Sequence, residues 1–160
     1  MSYMFVTDEP TPTVAWSVVC RALSKIPRTP WTLASSGGSS LAERNIISGN
    51  GSEGIGTEGL VNDVASADLK IINNYIGVNI NGDAAIANDN YGISRWFGTA
   101  SALIQDNIIA GNNSGGIYTL DAGNTTDESQ IIGNHIGVDA TGQSSIPNNG
   151  SGLNLHNAIN

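Results

Sequence analysis

The chain has 160 residues, 39% of them apolar, which suits one domain with a core, yet only 12% are charged and 20 are glycine. The net charge of −8 is uneven: Arg21, Lys25 and Arg28 face Asp8 and Glu9 in the first 32 residues, which leaves three cations against twelve anions in the rest. That balance excludes a phosphate-backbone partner, so no nucleic acid is expected, and anionic polysaccharides would be repelled unless a divalent metal bridged them.

Residues 1 to 32 form a stretch of their own, a non-repeat leader or N-terminal cap, bracketed by Pro10 and Pro12 on one side and Pro27 and Pro30 on the other. Between the proline pairs, Val14, Val18, Ala22 and Ile26 recur every four residues, a spacing that predicts a helix over 13–26. Such a helix could plug the open end of a stack. The apolar patch VAWSVVCRAL follows Asp8 and Glu9 and lacks a positive start and a small-residue cleavage site, so no signal peptide is recognisable. No run approaches about 18 uninterrupted apolar residues, so no membrane span is expected. Cys20 stands alone, which excludes an intramolecular disulfide, and reads as an ordinary apolar residue.

From residue 33 to 160 the chain repeats. IINNYIGVNINGDAAIANDNYGI at 71–93 returns as IIGNHIGVDATGQSSIPNNGSGL at 131–153, identical at 10 of 23 positions. Placing Asn45, Asn74, Asn107 and Asn134 in one column aligns four units. Two residues on stands Ile47, Ile76, Ile109 or Ile136; three residues back stands Ala42, Ile71, Ile104 or Ile131. Farther along, each unit reaches a glycine followed by an aliphatic residue: Gly54 and Ile55, Gly92 and Ile93, Gly116 and Ile117, Gly152 and Leu153. Units one and three are short, and units two and four carry the extra loop NINGDAAIAND or DATGQSSIPNN, so the longer repeat is a pair of coils.

Runs of three or four residues with Ile, Val or Tyr, divided by Gly, Asn, Asp and Ser, read as short strands separated by turns. Helical repeats would not tolerate so much Gly and Asn. The expected fold is therefore an all-β parallel solenoid of about four coils, starting near Asn45, Asn74, Asn107 and Asn134, with the Ile columns inside and the Asn column as a buried amide ladder at the bend. ERNIISGN at 43–50, NNYIGVNINGDAAIANDNYGI at 73–93, DNIIAGNNSGGI at 106–117 and GNHIGVDATGQSSIPNNGSGL at 133–153 resemble the right-handed parallel β-helix repeat proteins of the pectate-lyase-like superfamily, above all their secreted bacterial repeat arrays. The resemblance covers about residues 36–160, implies an extracellular or cell-surface location, and leaves activity open, because this fold hosts lyases, hydrolases, epimerases, adhesins and stalks.

Candidate site residues are few. The outward column after the Asn ladder reads Ile46, Tyr75, Ile108 and His135, in which Tyr75 and His135 lie two coils apart, roughly 10 Å. Tyr75 could stack on a sugar ring, or be an ordinary strand aromatic. SRWFGTA at 94–100 has no counterpart in the second copy, and its Arg95 and Trp96 could grip a glycan or simply pack. A calcium cage needs several carboxylates, and the column Asn50, Asn79, Asn112 and Asp139 sets one carboxylate among three amides, which is a poor one. Asp139 is thus a weak metal candidate, and no cofactor is expected. No column holds paired carboxylates for glycoside hydrolysis and no nucleophile elbow occurs.

The expectation is a non-catalytic extracellular or surface β-helix module serving as stalk, adhesin or glycan-binding unit within a longer array. Polysaccharide or a surface glycan would be its partner, along with end-to-end self-association, since an open coil end exposes strand edges and core. The alternatives are a carbohydrate-active enzyme of the polysaccharide lyase, hydrolase or epimerase type, and a gene fragment without independent function.

Overall fold

A computed structural model describes residues 18–21, 35–58, 69–96, 102–120 and 129–156. Among them the chain is all-β, with a single 3₁₀ turn at Leu41–Glu43 and thirteen short strands that pair only in parallel. The strands form three sheets, each visited once per coil. We number them β1 (Val18–Arg21), β2 (Ser35–Ser36), β3 (Ile46–Ile47), β4 (Ile55–Glu58), β5 (Leu69–Ile72), β6 (Tyr75–Ile76), β7 (Tyr91–Trp96), β8 (Ala102–Gln105), β9 (Ile108–Ile109), β10 (Gly115–Leu120), β11 (Gln130–Ile132), β12 (His135–Ile136) and β13 (Leu153–His156). Sheet A stacks β3, β6, β9 and β12; sheet B stacks β1, β4, β7, β10 and β13; sheet C stacks β2, β5, β8 and β11. Each coil runs through C, A and B and then rises to the next, which is a parallel β-helix solenoid of four coils.

The inward side chains are those the repeat aligns. Ile47, Ile76 and Ile109 from sheet A, Ile71 and Ile104 from sheet C, and Ile55, Ile93 and Ile117 from sheet B make one core, with Ile131 and Ile136 half-buried against it. Burying each isoleucine contributes about 2 kcal/mol. Coil 1 departs from the alignment at one point: Ser36, not Ala42, is in register with Ile71. Ala42 belongs to the 3₁₀ turn and is exposed. The turn is closed by Glu43, whose Oε2 accepts from Ser40 N–H at 3.0 Å and from Ser40 Oγ at 2.9 Å; Ser36 stands nine residues before Asn45 where Ile71 stands three before Asn74, so the six extra residues bulge outward and leave Ser36 in the Ile71 row. These bonds hold the Glu43 carboxyl below its usual range.

The helix expected over 13–26 is corrected at its centre. Val18–Arg21 is a strand, paired in parallel with β4 from Val18 against Ile55 to Arg21 against Glu58. Two adjacent valines favour a pleated strand, and the free edge of β4 offers backbone partners that a helix could not use. The rest of that span lies outside the described residues.

Polar side chains are buried too, in two parallel ladders. In the first, Asn45, Asn74 and Asn107 each donate from backbone N–H and from Nδ2 to Oδ1 of the asparagine one coil on, at 2.8 to 3.3 Å, ending on Asn134. The second Nδ2 proton of Asn74, Asn107 and Asn134 goes to the carbonyl of Ser36, Ile71 and Ile104. The other ladder, unforeseen in the sequence, is Asn50, Asn88, Asn112 and Asn148, linked by Nδ2 donation to the next Oδ1 at 2.8, 2.8 and 2.9 Å. Here the column Asn50, Asn79, Asn112, Asp139 is corrected: in the long coils Asn79 and Asp139 lie in the extra loop, and Asn88 and Asn148 hold the ladder places.

Removing a middle rung should cost more than removing an end one. Asn107→Ala strips partners from the buried Asn74 amide and the Ile71 carbonyl, and we expect a loss of about 2–4 kcal/mol, against about 1 kcal/mol for Asn45→Ala. Urea midpoints at unchanged m-value measure the difference. Gly77 and Gly137 supply a matched pair for backbone strain: their φ values are 85° and 77°, yet an added Cβ would meet the Ala110 carbonyl at 2.2 Å in the first and nothing within 4 Å in the second. Gly137→Ala should cost about 1 kcal/mol for the left-handed conformation alone, and Gly77→Ala clearly more. Equal losses in thermal unfolding would contradict this account of the packing.

Candidate functional site

The extra loops of coils 2 and 4 fold as small hairpins over the outer face of sheet A. Val78 bridges Ala85 in antiparallel fashion, and Val138 bridges Ser145. Ile86 N–H donates to the Gly77 carbonyl at 2.8 Å and Ile146 N–H to the Gly137 carbonyl at 3.0 Å, closing each base. The polar residue at the start of each hairpin braces it. Asn79 exchanges bonds with Asp83, whereas Asp139 Oδ1 accepts from Thr141 Oγ1 at 2.8 Å and from the N–H groups of Thr141, Gln143 and Ser144 at 3.0 to 3.2 Å. The Thr141 hydroxyl and those backbone donors lower the Asp139 carboxyl to about 2.

Beneath the hairpins lies a second apolar cluster of Ile46, Tyr75, Val78, Ile108, Ala110 and Ile146, with Ala140 packed on it. The outward column of sheet A is therefore roofed: Ile46, Tyr75 and Ile108 are 5%, 7% and 6% exposed. The two hairpins also touch each other across the intervening short coil, Ala140 N–H donating to the Gly82 carbonyl at 2.9 Å.

Beside this roof, at the bend between sheets C and A, is a hollow of about 250 Å³ lined by Arg44, Tyr75, Asp106, Ile108, Gly133 and His135, among others. It brings together two of the residues singled out in the sequence, Tyr75 and His135, and adds Arg44 and Asp106. The Arg44 guanidinium lies 4.0 Å from the Tyr75 ring centroid, and its Nη2 donates to Asn73 Oδ1 at 2.8 Å, so one face of the ring is already covered by a pinned cation. Asp106 sits at φ 55°, a conformation Asp tolerates, and accepts from Gln105 Nε2 at 2.9 Å. His135 Nδ1 lies 3.1 Å from the Asp139 carbonyl. A carbonyl only accepts, so Nδ1 carries the proton and, in the neutral ring, Nε2 is left as an acceptor.

Arg95 and Trp96 are elsewhere. Both lie on β7 in sheet B, Arg95 in register with Thr57 and Thr119 and only 7% exposed, Trp96 in register with Glu58 and Leu120. The Trp96 side chain and residues 97–100 of the divergent segment lie outside the described residues. Asp139 is engaged within its own hairpin. Among the described residues no three His, Cys, Asp or Glu side chains gather as metal ligands, and no helix is long and apolar enough to cross a membrane.

Arg44 and Asp106 escaped the sequence reading, although both carry a positional mark: each immediately precedes a ladder asparagine, in the column Arg44, Asn73, Asp106, Gly133. Compared with family models, curated proteins and solved structures, the chain has no significant match.

The charged state of Asp139 should be visible in stability. Its folded pKa of about 2 lies below the ordinary 3.8, so its contribution is present above about pH 4 and is lost as the pH falls toward 2. Asp139→Asn should unfold at lower temperature than the parent at neutral pH, and the gap in melting temperature should close between about pH 4 and pH 2. A gap that is constant with pH would show that the carboxylate charge contributes nothing.

Proposed function

We propose that this chain is a non-catalytic β-helix module of the pectate-lyase-like kind, acting as a rigid extracellular or cell-surface spacer. The observation that carries this is the roofed outer face of sheet A. On an open β-helix, outward side chains stacked over successive coils are free to meet a ligand. Here Ile46, Tyr75 and Ile108 are instead consumed by packing the hairpins, and the hairpins bond to each other along the stack axis. Side chains spent in this way stiffen the rod.

Glycan binding is the second reading, and the hollow at the sheet A bend favours it. Arg44 as donor and Asp106 and His135 Nε2 as acceptors suit one neutral sugar residue by size and by chemistry.

Two assays decide among these roles and catalysis. Incubation with uronate polymers, with and without calcium, should give no ultraviolet absorbance from unsaturated products; calcium-dependent product that disappears in Arg95→Ala would overturn the non-catalytic assignment. A glycan array should be blank for a pure spacer. A hit abolished by both Asp106→Ala and His135→Ala would make the module a glycan binder.

A further inference from the structure

The two-coil repeat leaves complementary halves at the two ends of the stack. Between coils 2 and 4 the hairpins join through Ala140 N–H and the Gly82 carbonyl, and Ile146 at the base of the second hairpin is covered, at 8% exposure. Moved back by one repeat, the same groups are Ile80 N–H and Ile86 on the first hairpin. Ile80 N–H has no partner among the described residues, and Ile80 and Ile86 are 57% and 47% exposed. At the other end the Gly142 carbonyl, counterpart of that of Gly82, is equally unpartnered among the described residues.

The first ladder has the same polarity. Asn45 Oδ1 accepts from no described group, while Asn134 N–H, which one rung earlier would donate to the next Oδ1, donates to none. Along sheet B, Ile117 is fully buried whereas Leu153 and Leu155 of β13 are 41% and 52% exposed. Coil 4 is long and coil 1 short, so setting the tail of one copy on the head of another preserves the alternation. Pairing two tails would instead oppose donor to donor.

One element occupies the place such a neighbour needs. Val18, Ile55, Ile93, Ile117 and Leu153 form a single row of sheet B. Because sheet B holds five strands and the other two sheets four, β13 of a preceding copy would fall on the β4 edge that β1 already fills.

We propose that copies of this chain associate head to tail, coil 4 on coil 1, and that β1 is a built-in cap competing with the incoming β13 for β4. The inference rests on the coil repeat and not on the spacer role, so either can fail alone. A head-to-tail contact is heterologous and open-ended, which makes a removable cap the means of limiting it.

The test uses the full chain in sedimentation velocity over a concentration series. Alternate N–H groups of a parallel strand face its neighbour, so Val18→Pro with Val19→Pro removes at least one that faces β4. With the strand signal in circular dichroism retained, this double variant should form species of at least twice 16.5 kDa at a concentration about tenfold lower than the parent. Adding Ile86→Lys, which blocks the head, or Leu155→Lys, which blocks the tail, should restore the 16.5 kDa species. A double variant that stays folded and monomeric, or association indifferent to both lysines, overturns the proposal.

Should the prolines unfold the chain, the single lysine variants decide the matter with β1 intact. Each alone should remain monomeric and their mixture should form dimers that grow no further. Dimers of Ile86→Lys alone would mean tail-to-tail pairing, and no dimer in the mixture up to about millimolar concentration would mean no association; both refute the head-to-tail stack.

Discussion

The structure depends on the buried asparagine amide. Along its straight segments a parallel solenoid satisfies its backbone through strand pairing, but at each bend the chain turns away from its neighbours and leaves carbonyls behind. The Nδ2 groups of Asn107 and Asn134 reach the carbonyls of Ile71 and Ile104, the last but one residues of β5 and β8, and the remaining amide atoms bond to the next rung. A buried carbonyl without a partner costs about 1–3 kcal/mol. Only a side chain that both donates and accepts can do this in series; aspartate in the same column would stack like charges about 4.8 Å apart. A composition of few ions and many amides is the compositional trace of that requirement.

How much of this was legible follows from where counting is safe. The first ladder and the Ile columns stand at fixed offsets from one another in every coil, because nothing is inserted between sheet C and sheet A after coil 1. Counting forward to the second ladder crosses a hairpin in alternate coils, so Asn79 and Asp139 fell into its column and Asn88 and Asn148 were missed. Counting backward finds them: Asn50, Asn88, Asn112 and Asn148 each stand four residues before Gly54, Gly92, Gly116 and Gly152. Ala42 was misplaced for the same kind of reason, since counting back three residues from Asn45 stops inside the 3₁₀ bulge and short of Ser36.

The candidate site was legible only in part. Strand alternation correctly put Tyr75 and His135 on one outward column, but no pattern in the sequence says that a hairpin folds back over that column. That is a tertiary event, decided by Gly77 and Gly137 at positive φ and by apolar contact between Val78 or Ile146 and the sheet. Arg95 shows the converse: a charged residue in a divergent segment suggests an outer surface, whereas the register of β7 places it beside two threonines and out of solvent.

The direct bond between the hairpins sets a rule for how such a chain can lengthen. Ala140 meets Gly82 over one short coil, so each roof occupies the height of two coils. A duplicated single coil of the long form would force two roofs into the space of one, and a duplicated short coil would open a gap over sheet A. Growth without repacking therefore comes in increments of about sixty residues, the interval at which residues 71–93 return as 131–153. The unit of inheritance in this molecule is the covered pair, although the unit of hydrogen bonding is the single coil.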